Sequence, residues 1–166
     1  MFDLCTSLVN APALPATELA ERCYASMFRN CTSLVDAPAL PATTLAEDCY
    51  DQMFKYCTSL VTAPVLPATT LANYCYNGMF GGCTSLEVAP ELPATTLVLS
   101  CYRWMFNGCT SLNEITMLAT DISATNCTRD WLYDVAATGT FTKAASMTTL
   151  PTGDSGIPTG WTVVNQ

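Results

Sequence analysis

Histidine is absent from this chain of 166 residues, which removes any Ser–His or Cys–His nucleophile pair. Positive charge is scarce: 6 Lys and Arg stand against 14 Asp and Glu, for a formal net charge of −8. Too few cations remain to neutralise a phosphate backbone or to form a polybasic lipid anchor, so nucleic acid and anionic membranes are poor partners. No apolar run approaches the roughly 18 consecutive residues of a membrane span, which argues against direct insertion. Charged residues of both signs make up only 12% of the chain, leaving Thr, Ser, Asn and small residues to dress much of the surface. A basic, apolar leader is missing behind Met1-Phe2-Asp3.

Cysteine, by contrast, is abundant and regular. Cys5, Cys31, Cys57, Cys83 and Cys109 form one column, and Cys23, Cys49, Cys75, Cys101 and Cys127 another, each stepping by 26 residues. A fixed internal period of this size marks a solenoid, whose units bury their apolar faces against their neighbours. The unit from Met27 matches the unit from Met53 at about 18 of 26 positions. Met1-Phe2 occupies the column of Met27-Phe28, Met53-Phe54, Met79-Phe80 and Met105-Phe106, so the chain begins within a repeat. This phase predicts an excised fragment, with upstream repeats and an export signal outside it.

Each unit divides into two halves. Leu71, Cys75 and Met79 are spaced i, i+4, i+8, with Tyr76 and Phe80 beside them, which predicts one face of a short helix. Pro67-Ala-Thr-Thr precedes it and offers a Thr hydroxyl as cap. Leu60-Val-Thr-Ala63-Pro64 is short enough only for a brief strand, interrupted where Pro64 lacks an N–H. The expected fold is therefore α/β: about five coils, with short parallel strands on one side and short helices on the other. At about 4.8 Å per coil the stack is on the order of 25 Å long.

The period weakens late in the chain. Leu112-Asn-Glu-Ile115-Thr-Met-Leu118 reads as a more conventional strand, and Cys127, Trp131 and Leu132 keep the helix columns. After Val135 the period is lost, and Thr138-Gly-Thr-Phe-Thr-Lys, Met147-Thr-Thr-Leu and Trp161-Thr-Val-Val are β-prone runs between Pro/Gly turns. The expected organisation is a repeat array over 1–135 and a β-rich C-terminal cap over 136–166 that shields the last coil.

The order Cys75-Tyr76-x-x-Met79-Phe80-x-x-Cys83-Thr-Ser-Leu86 resembles the BspA-like, or treponemal-type, leucine-rich repeat, whose core reads Ile-Gly-x-x-Ala-Phe-x-x-Cys-x-x-Leu. The resemblance covers roughly residues 1–135. The ending Ser155-Gly-Ile-Pro-Thr-Gly-Trp-Thr-Val-Val is similar to the C-terminal ending of such proteins from gut Bacteroidales. It implies a right-handed α/β solenoid, secreted or on the cell surface, used in adhesion to host proteins or carbohydrate. This chain differs by carrying Cys and Met where the family carries Ile and Ala, and by its Ala-Pro strand.

The cysteines allow two structural readings. They form ladders of buried free thiols or intra-repeat disulfides such as Cys75–Cys83, which would break the helix early. Zinc is disfavoured because C-x2-C spacing and His are both missing, and no cofactor is expected. Asp36, Glu87, Glu91 and Glu114 lie on or near successive strands, yet their columns hold Val, Thr, Asn or Ala in other repeats. They read as solvated positions rather than the paired carboxyls of a glycosidase.

Core columns barely vary between repeats, so the varying columns mark exposed surface. On the strand side these include Asp36, Thr62, Val88 and Glu114, with Val65 and Glu91. On the other side Tyr56, Tyr74 and Trp104 are the aromatic residues in such columns, where they form protein or sugar contacts or pack on neighbours. The Tyr24, Tyr50, Tyr76, Tyr102 column reads as core-edge stacking. The expected function is a non-enzymatic extracellular binding or adhesion module for a host or bacterial surface protein or glycan. The alternatives are a passive stalk, a carbohydrate-holding accessory module of a larger surface protein, and a phage receptor-binding element. The sequence leaves the oligomeric state open.

Overall fold

The computed structural model describes residues 2–148 and 150–166. Its backbone advances by one coil every 26 residues. Parallel bridges join Asn10 to Asp36, Asp36 to Thr62, Glu18 to Thr44 and Thr44 to Thr70. In the Ala-Pro segments, where a strand is expected, only single-residue bridges such as Asn10–Asp36 and Asp36–Thr62 form among the described residues. Pro38 and Pro64 have no N–H to extend a ladder, so pairing stops one or two residues short of them. Where the Ala-Pro pair is missing, a true strand appears: β1, Glu114–Met117. It pairs in parallel with β2, Thr140–Lys143, which pairs in parallel with β3, Thr162–Asn165. Ile115 sits against Phe141, and Phe141 against Val163. Of the expected late runs, the first and third thus become strands. Met147, Thr148 and Leu150 are irregular, and Thr149 of that run lies outside the described residues.

The α/β expectation is overturned. No helix forms among the described residues; the helix expected over Leu71–Phe80 is replaced, like its counterparts in the other coils, by a chain of turns (21–30, 47–56, 73–82, 99–108 and 125–134). Their hydrogen bonding follows a strict alternation. The N–H groups of Cys23, Ala25, Met27, Arg29 and Cys31 bond the carbonyls three residues back, at 3.1–3.3 Å. Those of Arg22, Tyr24, Ser26, Phe28 and Asn30 instead bond carbonyls of the next coil, from Glu47 to Lys55, at 2.8–3.0 Å. Every second turn carries a left-handed residue in third position, at Arg22 (φ 57°), Ser26 (φ 53°) and Asn30 (φ 60°). That is the signature of a type II turn, and the turns between them lack it.

Stacking distance explains why helices lose. Phe28, Phe54, Phe80 and Phe106 form a ladder with ring centroids 5.5–5.7 Å apart. Packed helices need about 8–10 Å between axes. A wall of turns spends half its N–H groups on the neighbouring coil and approaches far more closely. It also turns side chains two in, two out. Cys49 and Tyr50 face inward, Asp51 and Gln52 outward, Met53 and Phe54 inward, Lys55 and Tyr56 outward. An i, i+4, i+8 spacing is common to this pattern and to a helix. Thr70, expected to cap a helix, instead takes a bridge to Thr44.

The core is a set of such ladders. Cys49, Met53, Phe54, Cys57 and Leu60 are inaccessible to solvent, as are Cys75, Met79, Phe80, Cys83 and Leu86 one coil on. Tyr50 stacks on Tyr24 and Tyr76 at 5.9 and 5.8 Å. Burying a large apolar side chain in this way is worth about 1.5–3 kcal/mol each, before entropy is counted. Trp131 closes the stack, in contact with Tyr102, Phe106 and Phe141, and its indole N–H donates to the Gly156 carbonyl at 2.9 Å. Segment 151–157 supplies further partners to the last coil: the Asp154 carbonyl accepts from Leu132 N–H, and Ser155 Oγ from Asp130 N–H. No described helix is long and apolar enough to cross a membrane.

Candidate functional site

All ten cysteines are free thiols. Sγ of Cys57 donates to the Phe28 carbonyl at 3.0 Å, Cys83 to Phe54 at 3.1 Å and Cys109 to Phe80 at 3.0 Å. Each thiol thus gives a second bond to a carbonyl already closing a turn in the preceding coil. Burial pushes Cys49 up to about 11 and Cys57, Cys101 and Cys109 up to about 12. Thiols so buried and so hard to ionise are poor nucleophiles and poor metal ligands. Cys5 is half-buried and Cys23 exposed, because both lie at the first coil.

On the strand side, Asp36, Thr62, Val88, Glu91 and Glu114 are exposed, and Val65 is 79% exposed. Asp36 and Thr62 share a bridge, as do Val88 and Glu114, so these residues lie along one ladder. Val65, Val88 and Glu91 line a shallow groove of about 370 Å³, together with the Ala-Pro pairs 63–64 and 89–90. It has apolar walls and little polar definition.

The turn wall carries a better-defined cleft, of about 490 Å³. That lies within the roughly 300–1,000 Å³ of ordinary small-ligand sites. Its origin is a run of small residues in one coil. Where the preceding coil projects Gln52, Lys55 and Tyr56, the coil of 74–83 has Gly78, Gly81 and Gly82. Side chains of the coils on either side are left as walls. Tyr56 lies on one side and Trp104 and Asn107 on the other, with Thr58 and Thr84 at one end. Tyr56 leans onto Gly82: a Cβ there would overlap its ring, with Cε1 at 2.9 Å. Gly82 has φ 75°, in a column whose other members are Leu4, Asn30, Tyr56, Gly108 and Asp134. Glycine is therefore used here for clearance as well as for conformation.

Two cations guard the aromatic walls. Lys55 Nζ stands 5.3 Å from the Tyr56 ring centroid, and the Arg103 guanidinium 3.6 Å from that of Trp104. Trp104 Nε1 donates to Asp130 Oδ2 at 3.4 Å, and Asn107 Nδ2 to the Asp130 carbonyl at 3.4 Å. Beside the cleft, Asn77 Nδ2 donates to Asp51 Oδ1 at 2.7 Å. Burial pushes the Asp51 carboxyl up, and the Asn77 amide opposes it.

Of the three aromatic residues singled out from the sequence, the structure brings Tyr56 and Trp104 to one cleft and leaves Tyr74 outside it. All three occupy left-handed positions, Tyr56 at φ 63°, Tyr74 at φ 56° and Trp104 at φ 55°. Column variability marks Gly81 and Asn107, with Arg29 and Lys55, as exposed surface, but it does not mark Gly82 or Gly108. The signal was present as Gly78-x-x-Gly81-Gly82, the one repeat with three glycines at outward positions. No cluster of His, Cys, Asp or Glu among the described residues is arranged to hold a metal ion. No family model matches the chain, and neither a curated protein nor a solved structure matches it.

Proposed function

We propose that this chain is a non-enzymatic binding module of the cell surface or extracellular space, with its ligand site on the turn wall. The observation that carries the reading is the meeting of Tyr56 and Trp104 in one cleft over the glycine-bearing coil. Tyr56 is 48% exposed, so part of its side chain is left in water. A ligand covering it gains both contact and desolvation. The stacked ladders beneath hold the walls rigid, which lowers the ordering cost of binding. The likeness of the repeat to the BspA-like pattern and the anionic, weakly charged composition agree with an adhesive role toward a host protein or glycan.

Purified extracellular proteins and immobilised glycans test this directly, with the chain compared against its Gly81→Lys variant. Lys is native to that column at Lys55, so the variant fills the cleft without asking the backbone for anything new. Binding that the variant loses supports the reading; a panel with no ligand at all favours the passive stalk. A second reading rests on the exposed Val61, Val65 and Val88 of the strand side, which suit contact with another protein. Binding abolished by Val65→Lys and untouched by Gly81→Lys would favour that face.

A further inference from the structure

The geometry points to a neutral, hydroxyl-rich saccharide chain as the ligand of the Tyr56–Trp104 cleft, an assignment that rests on the binding-module reading and narrows it to one chemistry. Consider first which charges the cleft rejects. A net charge of −8 on the chain opposes anions at long range. Cations are opposed locally, because the positions a cation would take at the two rings are held by Lys55 and Arg103. A ligand without net charge meets neither opposition.

The floor specifies what that ligand must carry. A Cβ on Gly81 would lie 3.4 Å from the Gly78 carbonyl oxygen, 3.5 Å from that of Trp104 and 3.6 Å from that of Asn107. Trp104 and Asn107 both line the cleft, so with the side chain missing their oxygens stand at its floor. Each of the three oxygens already accepts one backbone bond, from Gly81, Asn107 and Gly82 respectively. Each keeps a second lone pair. The floor is therefore rich in acceptors and asks for a ligand rich in donors. At the end of the cleft the Thr58 hydroxyl can donate or accept, while Thr84 Oγ1 donates to the Thr58 carbonyl at 3.4 Å and keeps lone pairs to accept.

The walls complete the match. A pyranose presents C–H groups on its faces and hydroxyls around its rim, so it sets its faces against aromatic rings and its rim against polar groups. Tyr56 leans across the floor at Gly82, while Trp104 has one face taken by Arg103 and only the other left for a ligand. Trp104 is also held by its bond to Asp130, so its ring is oriented before the ligand arrives. An apolar side chain or acyl chain would cover the rings but leave the floor carbonyls without donors, at the cost of stripping their water.

The test uses isothermal titration of the whole chain with unbranched neutral tetrasaccharides of glucose, galactose, mannose and N-acetylglucosamine. A sialylated tetrasaccharide and a tetralysine peptide serve as charged probes. Tryptophan emission is followed in parallel, since Trp131 and Trp161 are buried and Trp104 reports the cleft. The expected result is saturable binding of at least one neutral probe, a change in emission, and at least tenfold weakening in Gly81→Lys with an unchanged melting curve, and in Tyr56→Ala and Trp104→Ala with melting still cooperative. Gly81→Lys keeps the test sound if an aromatic variant unfolds. Neutral probes that fail at millimolar concentration overturn the inference, as does binding that survives Gly81→Lys, or a preference for either charged probe. A protein ligand lost in Gly81→Lys while every saccharide fails would sink the saccharide assignment and leave the binding module standing.

Discussion

Replacing Gly82 by Ala probes the cleft and the turn wall together. The residue is left-handed, where an L side chain costs roughly 1–2 kcal/mol. The added methyl also overlaps the Tyr56 ring, which must swing away. Tyr56 is 48% exposed, so about half of a tyrosine's roughly 150–250 Å² is covered in place. Losing about 100 Å² at ~25 cal/mol per Å² sets an upper limit near 2.5 kcal/mol. Partial repacking reduces the loss to about 1–2 kcal/mol. Gly82→Ala should thus cost about 2–4 kcal/mol alone and only about 1–2 kcal/mol in a Tyr56→Ala background. Urea denaturation of the wild type, both single variants and the double variant yields the coupling energy. The reasoning predicts a coupling of about 1–2 kcal/mol, well outside the ~0.5 kcal/mol scatter of independent sites. Single costs that add within that scatter would show that Tyr56 does not lie on Gly82.

Other consequences are simpler to read. Phe80→Ala removes the middle of the phenylalanine ladder and should cost about 3–5 kcal/mol, whereas Phe2→Ala, half-buried with one stacking neighbour, should cost less than half as much. Equal shifts in the urea midpoint would contradict a continuous stack. The buried thiols make stability fall in alkali. Burial holds them above the ordinary thiol value of about 9, so their contribution is complete below pH 9 and is lost as pH rises from there toward about 11–12. By pH 10 the loss should be on the order of 1 kcal/mol per buried thiol, and stability that stays level from pH 8 to 10.5 would refute it. In the native state at pH 8, Cys23 should react with iodoacetamide first and Cys5 next, with the other eight protected until unfolding. Peptide mapping that finds Cys57 or Cys83 labelled early would place those columns at the surface.

Much of this architecture can be read from the residues. The two cysteine columns and the Phe and Tyr columns give the period, and each is a stacked ladder in the structure. The strand at Ile115 follows from the loss of the Ala-Pro pair there. What misleads is the i, i+4 spacing of Cys75 and Met79, which a helix shares with a wall of alternating turns. The discriminating residues stand in the outward positions. Gly78, Gly82, Asn30, Asp48, Gly108, Asn126, Asp130 and Asp134 recur at four-residue steps where left-handed turns need them. A helix interior disfavours glycine by about 1 kcal/mol per residue relative to alanine, so this recurrence is a sequence signal against helix. The aromatic residues of the cleft were legible as outliers in varying columns. Their convergence was not, because it depends on three glycines in the coil between them and on the direction in which Tyr56 leans.

The most direct test of the account is a set of backbone chemical shifts for the turn wall, from which φ is obtained residue by residue. Left-handed values at Tyr56, Tyr74 and Trp104, with no continuous helical run through 74–83, are what alternating turns require. Uninterrupted helical shifts over 74–83 would contradict the turn wall, and with it the floor, walls and chemistry of the cleft.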